Sequence, residues 1–454
     1  MKIISLQISK LHGVFDYNVA FNTDVTFIYG LNGCGKTTIL NITEAIITGQ
    51  LFKLFNYKFE FIELNYAKNG NILKMKSLTI NNLSKDALSV NFNNKTYEIE
   101  REYIREESGN LKRNLYEYIK IYFSKYSILG EIKKTFNYVY LPLNRSSLYN
   151  NDDWFIKGWH SVHRNPNFTE NMLQLENQDL SMLEVEELIY EQSSCINFNI
   201  SKINDEFRNK ILKSLLEMKN VTNDSIAQNL IEIIGSKDSI KDIERTKNAY
   251  LKMLNDLNLL NKEEEDNYKK FFANLIEGVD NVSKKRDKIA MDLVLKFQEY
   301  TKIKKLISIS KSMEKSKAKE REPIDVFIKT MNEFVSSSDD GKKVAIDDFG
   351  RVYFTTRYNE GPISIQHMSS GEKQLIAFFA NLIFKVKKGA SGIFVVDEPE
   401  LSLHLLWQKK FVEKALSING DLQLIFATHA PEIIGEKRNK MFKLEKKSLE
   451  WVGK

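Results

Sequence analysis

Hydrophobic positions follow a strand-like pattern at both ends of the chain and a helical pattern in the middle. Two uninterrupted apolar runs, Ile393–Val396 and Leu424–Ala427, predict parallel strands that are buried on both faces. Between residues 1 and 30 the pattern predicts two short strands, of which the second is Val25–Tyr29. Lys36–Ile47 then has helical spacing. These elements together predict an α/β sheet.

Alternating segments between residues 59 and 104 predict antiparallel hairpins, because Asn-Gly and Asn-Asn pairs separate them. A further hairpin is predicted around residues 348–350, and Tyr138–Leu141 is predicted as a buried strand. The two ends of the chain therefore combine a mixed sheet with an antiparallel β-subdomain.

From about residue 154 to residue 322 the strand signals disappear. Apolar residues recur there at helical spacing, as at Phe207, Ile211 and Leu215, and Asn258–Asp266 reads as the tip between two long helices. We therefore expect three segments: residues 1–150 of an α/β head, a helical and partly coiled-coil insertion at 151–322, and the rest of the head at 323–454.

The composition is that of a globular protein, with 42% hydrophobic and 28% charged residues in 454. No apolar run approaches the roughly 20 residues that cross a membrane, and the N-terminus alternates like a strand rather than a signal peptide. Two cysteines, Cys34 and Cys195, are too few for a disulfide framework or a zinc site. We therefore expect a reduced, cytoplasmic protein without membrane contact.

Charge is unevenly distributed although the net charge is only +6. Residues 165–201 hold seven acids and no Lys or Arg, whereas residues 302–321 hold eight bases and two acids. The basic stretch is either an ordinary solvated helix face or an attractor for nucleic acid. The acidic and basic stretches are also able to pair with each other or across subunits.

Residues 30–37 read Gly-Leu-Asn-Gly-Cys-Gly-Lys-Thr and match the phosphate-binding pattern G-x-x-x-x-G-K-[ST] between a strand and a helix. Glycines let successive backbone N–H groups turn toward phosphate oxygens, and the helix N-terminus adds positive charge. Lys36 is expected to neutralise the β/γ oxygens and Thr37 to coordinate Mg²⁺. The expected ATP contacts here are Gly30, Asn32, Gly33, Cys34, Gly35, Lys36, Thr37 and Thr38.

The apolar strand that ends at Val396 delivers two adjacent carboxylates. Asp397 is expected to hold Mg²⁺, and Glu398, pointing the other way along the pleat, to polarise the attacking water. His429 follows the strand Leu424–Ala427, where an imidazole is placed to contact the γ-phosphate or orient the water, although a lone histidine is more often structural. Residues 368–374 (Met-Ser-Ser-Gly-Glu-Lys-Gln) precede a predicted helix. This segment is either an anion-binding site at the helix N-terminus or an ordinary N-cap.

Four motifs in this order, GLNGCGKT, SSGEKQ, FVVDEPELSLH and ATHAPEII, resemble those of the ABC-type ATPases of the OLD, RecF and SMC group, and are most similar to the OLD-like branch. The resemblance covers both ends of the chain and matches the helical insertion only in position and character. It implies an ABC-type P-loop ATPase head that uses ATP and Mg²⁺.

The resemblance also implies roles for single residues. Ser369 and Gly371 would contact the γ-phosphate bound to a second head, and His429 would be the switch histidine. Residues 402–404 would form the D-loop, where transporter ATPases usually have Asp in place of His404. No glutamine fills the family's Q-loop position, for which Asn144 or Arg145 is a candidate, and His12 is the nearest basic residue to the N-terminal strand.

Three branches of this group are disfavoured: transporter ATPases, which have a different D-loop; SMC and Rad50 proteins, which need hundreds of coiled-coil residues; and OLD nucleases, which carry a nuclease domain after the ATPase. Two function classes remain. The resemblance in size and layout to ATPase subunits of anti-phage defence systems implies a homo-oligomeric sensor and scaffold with a separate nuclease or toxin effector and a phage-encoded trigger. The alternative is a RecF-like DNA-repair ATPase that clamps duplex DNA, which the basic stretch at residues 302–321 favours.

Overall fold

The computed structural model describes residues 1–68, 71, 73, 75–101, 121–136, 138–141, 177–216, 239–285, 291–336, 340–359, 361–386, 392–401 and 403–448. The predicted Q-loop candidates Asn144 and Arg145, the D-loop residue Ser402 and the first part of the acidic stretch lie outside these residues.

The elements fall into three groups along the chain. The first group is β1 (Lys2–Leu11), β2 (Phe15–Ala20), β3 (Val25–Tyr29), α1 (Lys36–Ile47), β4 (Phe61–Ala67), β5 (Lys76–Ser84), β6 (Ala87–Phe92), β7 (Lys95–Glu100), α2 (Ser127–Thr135) and β8 (Tyr138–Leu141). The second is α3 (Asn177–Leu216), α4 (Ser239–Asp256), α5 (Lys262–Lys285) and α6 (Met291–Val335). The third is β9 (Lys343–Ile346), β10 (Val352–Thr355), β11 (Ile363–Ser364), α7 (Ser370–Ala380), a π-helix (Asn381–Lys385), β12 (Gly392–Asp397), α8 (Leu405–Ile418), β13 (Leu422–Ala427), α9 (Pro431–Ile434), β14 (Met441–Lys443) and β15 (Lys447–Ser448).

The chain divides into two compact units, one of Met1–Ser193 with Pro323–Lys454 and one of Ser194–Glu322. The first boundary therefore lies later than the expected residue 150, because the early turns of α3 bury Met182 and Ile189 in the core of the first unit. Sequence periodicity shows that these turns are helical, but it does not show which core they join. The second boundary, before Pro323, agrees with the expected segment start at residue 323.

A five-stranded sheet in the order β14-β3-β13-β12-β8 carries the predicted phosphate-binding loop. All its neighbours pair in parallel. Every residue of β12 and β13 is buried, as the uninterrupted apolar runs predict. Loops that follow parallel strands meet at the carboxyl edge of the sheet, so the ends of β3, β12 and β13 converge.

A seven-stranded sheet in the order β15-β2-β1-β4-β5-β6-β7 forms the antiparallel β-subdomain. The expectation of two strands before residue 30 was wrong, because β1 and β2 form a hairpin ahead of β3. The turn between them uses left-handed backbone at His12 (φ 56°) and Gly13 (φ 87°). Helix α2 was not predicted either; it buries Ile128, Leu129 and Ile132.

Gln423, the second residue of β13, ties the parallel sheet to the β-subdomain. Its side-chain amide donates to the carbonyls of Ile3 (2.7 Å) and Asn22 (2.8 Å), and its Oε1 accepts from the Ile3 N–H at 2.7 Å. The side chain is fully buried. A buried polar side chain is accommodated in an apolar strand here because it is hydrogen-bonded to backbone groups of Ile3 and Asn22.

The second unit is helical. Parts of α4, α5 and α6 pack around a core that includes Tyr250, Phe272, Phe297 and Tyr300. The predicted tip at Asn258–Asp266 is shorter than expected, since α5 already begins at Lys262 and places its acidic first turn at the helix N-terminus. An α/β head with an antiparallel β-subdomain and a long helical insertion is therefore confirmed.

None of the helices in the described ranges combines the length and the low charge that crossing a bilayer requires.

Candidate nucleotide-binding site

The predicted phosphate cradle lies between the end of β3 and the first turn of α1. Gly33 (φ 76°) and Gly35 (φ 102°) both adopt left-handed backbone, which residues with a Cβ rarely tolerate. At Gly35 a Cβ would also lie 2.9 Å from the Tyr17 hydroxyl, whereas at Gly33 it would meet nothing within 4 Å. The two glycines thus shape the loop, and Gly35 in addition allows a close approach by β2.

Polar contacts hold the cradle in this shape. The Tyr17 hydroxyl donates to the carbonyl of Cys34 at 3.0 Å, and the Cys34 N–H donates to the carbonyl of Leu31 at 3.1 Å. The Lys36 side chain is buried, and its ammonium donates to the carbonyl of Gly30 at 3.2 Å. Lys36 therefore lies against the inner rim of the loop, where its charge would face a bound phosphate.

Asp397, the last residue of β12, is the most unusual group of the site. Its side chain is 3% exposed, and neither carboxylate oxygen has a hydrogen-bond partner of normal geometry in the described part of the chain. Burial raises the pKa of this carboxyl above its ordinary value; Glu398 and Glu400 add to the rise, while the Thr37 hydroxyl and the Lys36 ammonium oppose it. The structure thus brings Asp397 beside Thr37, which is predicted to share its metal, and beside Lys36, which is predicted to neutralise phosphate oxygens.

Glu398 does not continue the pleat of β12, contrary to the expectation. It adopts left-handed backbone with φ 44°, and its N–H donates to the carbonyl of Ala427 at 2.8 Å. The direction of the side chain is therefore set by a strained turn between β12 and the end of β13. Such strain in a residue other than glycine persists only where the surroundings hold it, and it is common at functional sites.

The signature segment begins α7. Ser369 is the N-cap residue: its hydroxyl accepts from the Glu372 N–H at 3.4 Å, and Glu372 accepts in return from the Ser369 N–H at 2.8 Å. Lys342 holds the buried Glu372 carboxylate at 3.0 Å. The N-cap is therefore present. No described hydrogen bond links Ser369 or Gly371 to the cradle of its own chain, and the phosphate contact of these two residues stays a prediction.

His429 lies at the end of β13 with an exposed side chain, and its position depends on a residue that sequence reasoning missed. The Glu400 carboxylate accepts from the His429 N–H at 2.7 Å and from the Thr428 hydroxyl at 2.9 Å. The signal was present in the chain: Glu400 is a third acid, separated from the Asp-Glu pair only by Pro399, and Thr428 is a buried hydroxyl at a strand end.

The described part of the D-loop shows why His404 is compatible with this site. His404 is the N-cap of α8, and its Nδ1 accepts from the Leu406 N–H at 3.3 Å, as the carboxylate of an N-cap Asp would do. His12, the other basic candidate, lies exposed in the turn between β1 and β2, with its ring 6.3 Å from that of Tyr57.

The donors near Asp397 fit a magnesium ion. The Asp397 carboxylate, whose oxygens have no hydrogen-bond partner of normal geometry in the described chain, and the Thr37 hydroxyl are hard oxygen ligands, which Mg²⁺ prefers. This ion usually completes its shell with water and substrate phosphates. Consistent with so small a protein contribution, no cluster of three or more His, Cys, Asp or Glu residues able to hold a metal occurs among the described residues.

Two sequence comparisons agree with this geometry. A family model described as an AAA domain, putative AbiEii toxin, Type IV TA system, matches residues 227–435, which include Ser369, Asp397 and His429. A probable ATPase of retron Vc95 from Vibrio cholerae serotype O1 biovar El Tor is 27% identical over 199 residues. One match is to an AAA domain and the other to a probable ATPase, and both support an ATPase. The retron match covers 39% of this chain and 38% of the relative, so the two proteins are similar over well under two thirds of that relative.

Two solved Smc head domains with coiled coil are also similar to this chain. One, from Pyrococcus furiosus and bound to the C-terminal domain of ScpA, is 12% identical with a TM-score of 0.38, covering 99% of this chain and 96% of that one. The other, from Pyrococcus yayanosii, is 14% identical with a TM-score of 0.34, covering 95% and 93%.

Proposed function

We propose that this protein binds ATP in the cradle at residues 30–38 and hydrolyses it to ADP and phosphate. The observation that carries the proposal is Asp397, a buried carboxylate with no hydrogen-bond partner of normal geometry in the described chain, beside Lys36 and Thr37 at the mouth of a glycine loop. A buried carboxylate that lacks hydrogen-bond partners of normal geometry is costly unless a cation belongs there. Thr37 and Asp397 would hold Mg²⁺, which, when bound, would neutralise charge on the β- and γ-phosphate oxygens.

The chain's own residues divide the chemistry between them. Glu398 accepts a proton from the attacking water while the water oxygen bonds to the γ-phosphorus and the bond to the β–γ bridging oxygen breaks. Lys36 and the cradle N–H groups stabilise the charge that moves onto the β-phosphate. His429 donates a hydrogen bond to the γ-phosphate from the end of β13. Ser369 and Gly371 of a second copy close the site from the opposite side.

A γ-phosphate shared by two copies makes ATP a reversible link between heads. The closed pair is favoured only while both copies contact that phosphate, so hydrolysis releases it, as in any two-state switch that is driven by differential binding. We propose a homo-oligomer that contains such head pairs.

We propose further that the switch serves an anti-phage defence complex, in which this chain senses a phage protein and holds or activates a separate nuclease or toxin. Two similarities support this role: the matching family model is described as a putative toxin of a toxin–antitoxin system, and the matching relative is a probable ATPase of a retron. The layout of a head split by a helical insertion also resembles the ATPase subunit of the PARIS defence system, which implies a homo-oligomeric scaffold.

The first test compares the wild-type protein with Glu398→Gln and Lys36→Ala by native mass spectrometry in ATP and Mg²⁺, with the neighbouring genes co-expressed. Glu398→Gln should retain unhydrolysed ATP and accumulate as a closed oligomer, whereas Lys36→Ala should bind no nucleotide. Tight ATP binding by Lys36→Ala would contradict the cradle assignment. A second protein at fixed stoichiometry supports the scaffold role, and a dimer carrying nucleic acid alone contradicts it.

The DNA-clamp alternative has one specific observation in its favour. On α6, Lys311, Lys315 and Lys319 are exposed, repeat at four-residue spacing along one face and have no ion-pair partner among the described residues. Other lysines of the same helix are paired, among them Lys302 with Glu299 at 2.8 Å. Unpaired lysines in a row are able to replace counterions along a phosphate backbone.

Matched triple variants separate the two roles. Replacing Lys311, Lys315 and Lys319 with Gln should lower the salt dependence of duplex binding by a slope of about 2.7 if all three contact phosphates. The control replaces the paired lysines of the same helix, Lys296, Lys302 and Lys317, and removes the same charge. Equal losses in both triples would reduce the effect to net charge and contradict a defined DNA surface.

A further inference from the structure

We propose that Glu400 is a positioning residue that couples the loop after β12 to His429, so that movement of this loop changes the catalytic competence of the site. The inference rests on the proposed ATP hydrolysis. Glu400 lies in the sequence Asp-Glu-Pro-Glu at residues 397–400, hereafter the DEPE loop. It has neither the metal-binding role proposed for Asp397 nor the role of general base proposed for Glu398.

Glu400 joins two segments that are distant in sequence. One carboxylate oxygen accepts from the His429 N–H at 2.7 Å, and the other accepts from the Thr428 hydroxyl at 2.9 Å. The Thr428 hydroxyl in turn accepts from the Ala430 N–H at 3.0 Å, and the Thr428 N–H donates to the carbonyl of Ile28 at 3.1 Å. The backbone on both sides of His429 is therefore anchored, and Glu400 supplies the anchor of His429 itself.

Glu400 is itself fixed by neighbours from the signature helix and the D-loop. The Glu400 carbonyl accepts from the Leu403 N–H at 3.0 Å and from the Gln408 side chain at 3.4 Å. The preceding carbonyl, of Pro399, accepts from the side-chain amide of Gln374 on α7 at 3.2 Å. A shift of α7 or of the D-loop therefore acts on the DEPE loop, and through its carboxylate on the peptide of His429.

This arrangement requires a side chain with the length and the acceptor oxygen to reach both segments. A carboxylate offers two acceptor oxygens, and both the His429 N–H and the Thr428 hydroxyl need an acceptor in this direction. Glutamine at this position keeps one acceptor oxygen and presents an N–H₂ donor to Thr428, whose oxygen can still accept. Alanine removes both contacts and frees the peptide of His429, and a misplacement of about 1 Å in a catalytic group can cost on the order of a hundredfold in rate.

A double-variant cycle on the full-length protein distinguishes positioning from general support of the fold. Steady-state ATP hydrolysis is measured for the wild type, Glu400→Ala, His429→Ala, the pair, and Glu400→Gln. If Glu400 acts through His429, Glu400→Ala lowers kcat between about tenfold and a hundredfold with KM for ATP within about threefold, the pair is no slower than His429→Ala alone, and Glu400→Gln recovers most of kcat.

The control variant is Glu333→Ala, which removes a carboxylate of the same unit that pairs with Lys414 away from the site. It should leave kcat unchanged, and thermal melts of all variants identify any that fail to fold. Losses that multiply in the Glu400/His429 pair would overturn the inference, as would an unchanged kcat in Glu400→Ala. No hydrolysis by the wild-type protein would instead overturn the proposed function, so the two failures are distinguishable.

Discussion

Replacing Asp397 with Asn should stabilise the nucleotide-free protein and abolish Mg²⁺-dependent hydrolysis. The wild-type carboxylate is 3% exposed, has no hydrogen-bond partner of normal geometry in the described chain, and lies near the like charges of Glu398 and Glu400. A buried polar group without a partner costs about 1–3 kcal/mol, and a charged group more. Asparagine has nearly the same shape and is still polar, so the gain is the excess cost of the charge over the neutral amide, which we expect to be on the order of 1–3 kcal/mol.

The expected gain is visible as a shift in melting temperature. With an unfolding entropy of roughly 2.1 cal/mol/K per residue, a unit of a few hundred residues shifts by about 1–2 °C per kcal/mol. The Asp397→Asn substitution should therefore raise Tm by about 1–5 °C in EDTA without nucleotide. With Mg²⁺ and ATP at about a hundred times Kd the wild type gains about 2.7 kcal/mol, while the variant gains less, because it lacks the metal ligand.

The pH dependence has a defined sign. The pKa of Asp397 is raised above its ordinary value of 3.8 in the fold, so the folded state binds the proton more tightly than the unfolded state does. Wild-type stability from this group is present below the ordinary pKa and is lost as pH rises through the folded pKa. The advantage of the Asp397→Asn variant should therefore be full at neutral pH and shrink as the pH is lowered toward 3.8.

Asp24→Asn is the matched control with the opposite sign. Burial tends to raise the pKa of Asp24, but hydrogen bonds from Lys440, at 2.9 Å, and from backbone N–H groups lower it overall. Its stabilisation is present above the ordinary pKa and is lost as pH falls through the folded pKa, so this substitution should lower Tm at neutral pH. If Asp397→Asn also lowered Tm in EDTA, or if nucleotide and Mg²⁺ raised both proteins equally, the reasoning about Asp397 would be refuted.

Two further predictions concern the cradle and the tie between the sheets. Gly35→Ala should weaken ATP binding, measured by titration calorimetry, at least tenfold more than Gly33→Ala does. Both positions have positive φ, but only a Cβ at residue 35 would meet the Tyr17 hydroxyl, at 2.9 Å. Equal losses of affinity would contradict the close approach of Tyr17. Gln423→Leu should lower the free energy of unfolding in urea by about 3 kcal/mol or more, because it leaves the Ile3 N–H and the carbonyls of Ile3 and Asn22 without their partner. A loss under about 1 kcal/mol would contradict the stabilising role of Gln423 between the two sheets.

Much of the head was predictable because its signals are local. The runs that form β12 and β13 have no polar positions before their ends apart from Gln423, and a strand with that pattern must be covered on both faces. The glycine loop at residues 30–37 was predictable as a loop for a similar reason, because its glycines and Lys36 lie close together in the sequence, and its binding of phosphate stays a prediction. The β1–β2 hairpin was missed because its turn depends on left-handed backbone at His12, a residue that gives no strong turn signal.

The amino-acid sequence by itself determined the strand and helix types, the cradle, and the presence of two acids at the end of a buried strand, since each depends on neighbours within a few residues. Only the tertiary structure decided that Asp397 is buried without a partner of normal geometry beside Thr37, that Glu398 turns away from the pleat, and that Glu400 holds His429. Those facts join residues up to several hundred positions apart, and burial and hydrogen-bond partners across such separations arise only when the parallel strands pack side by side.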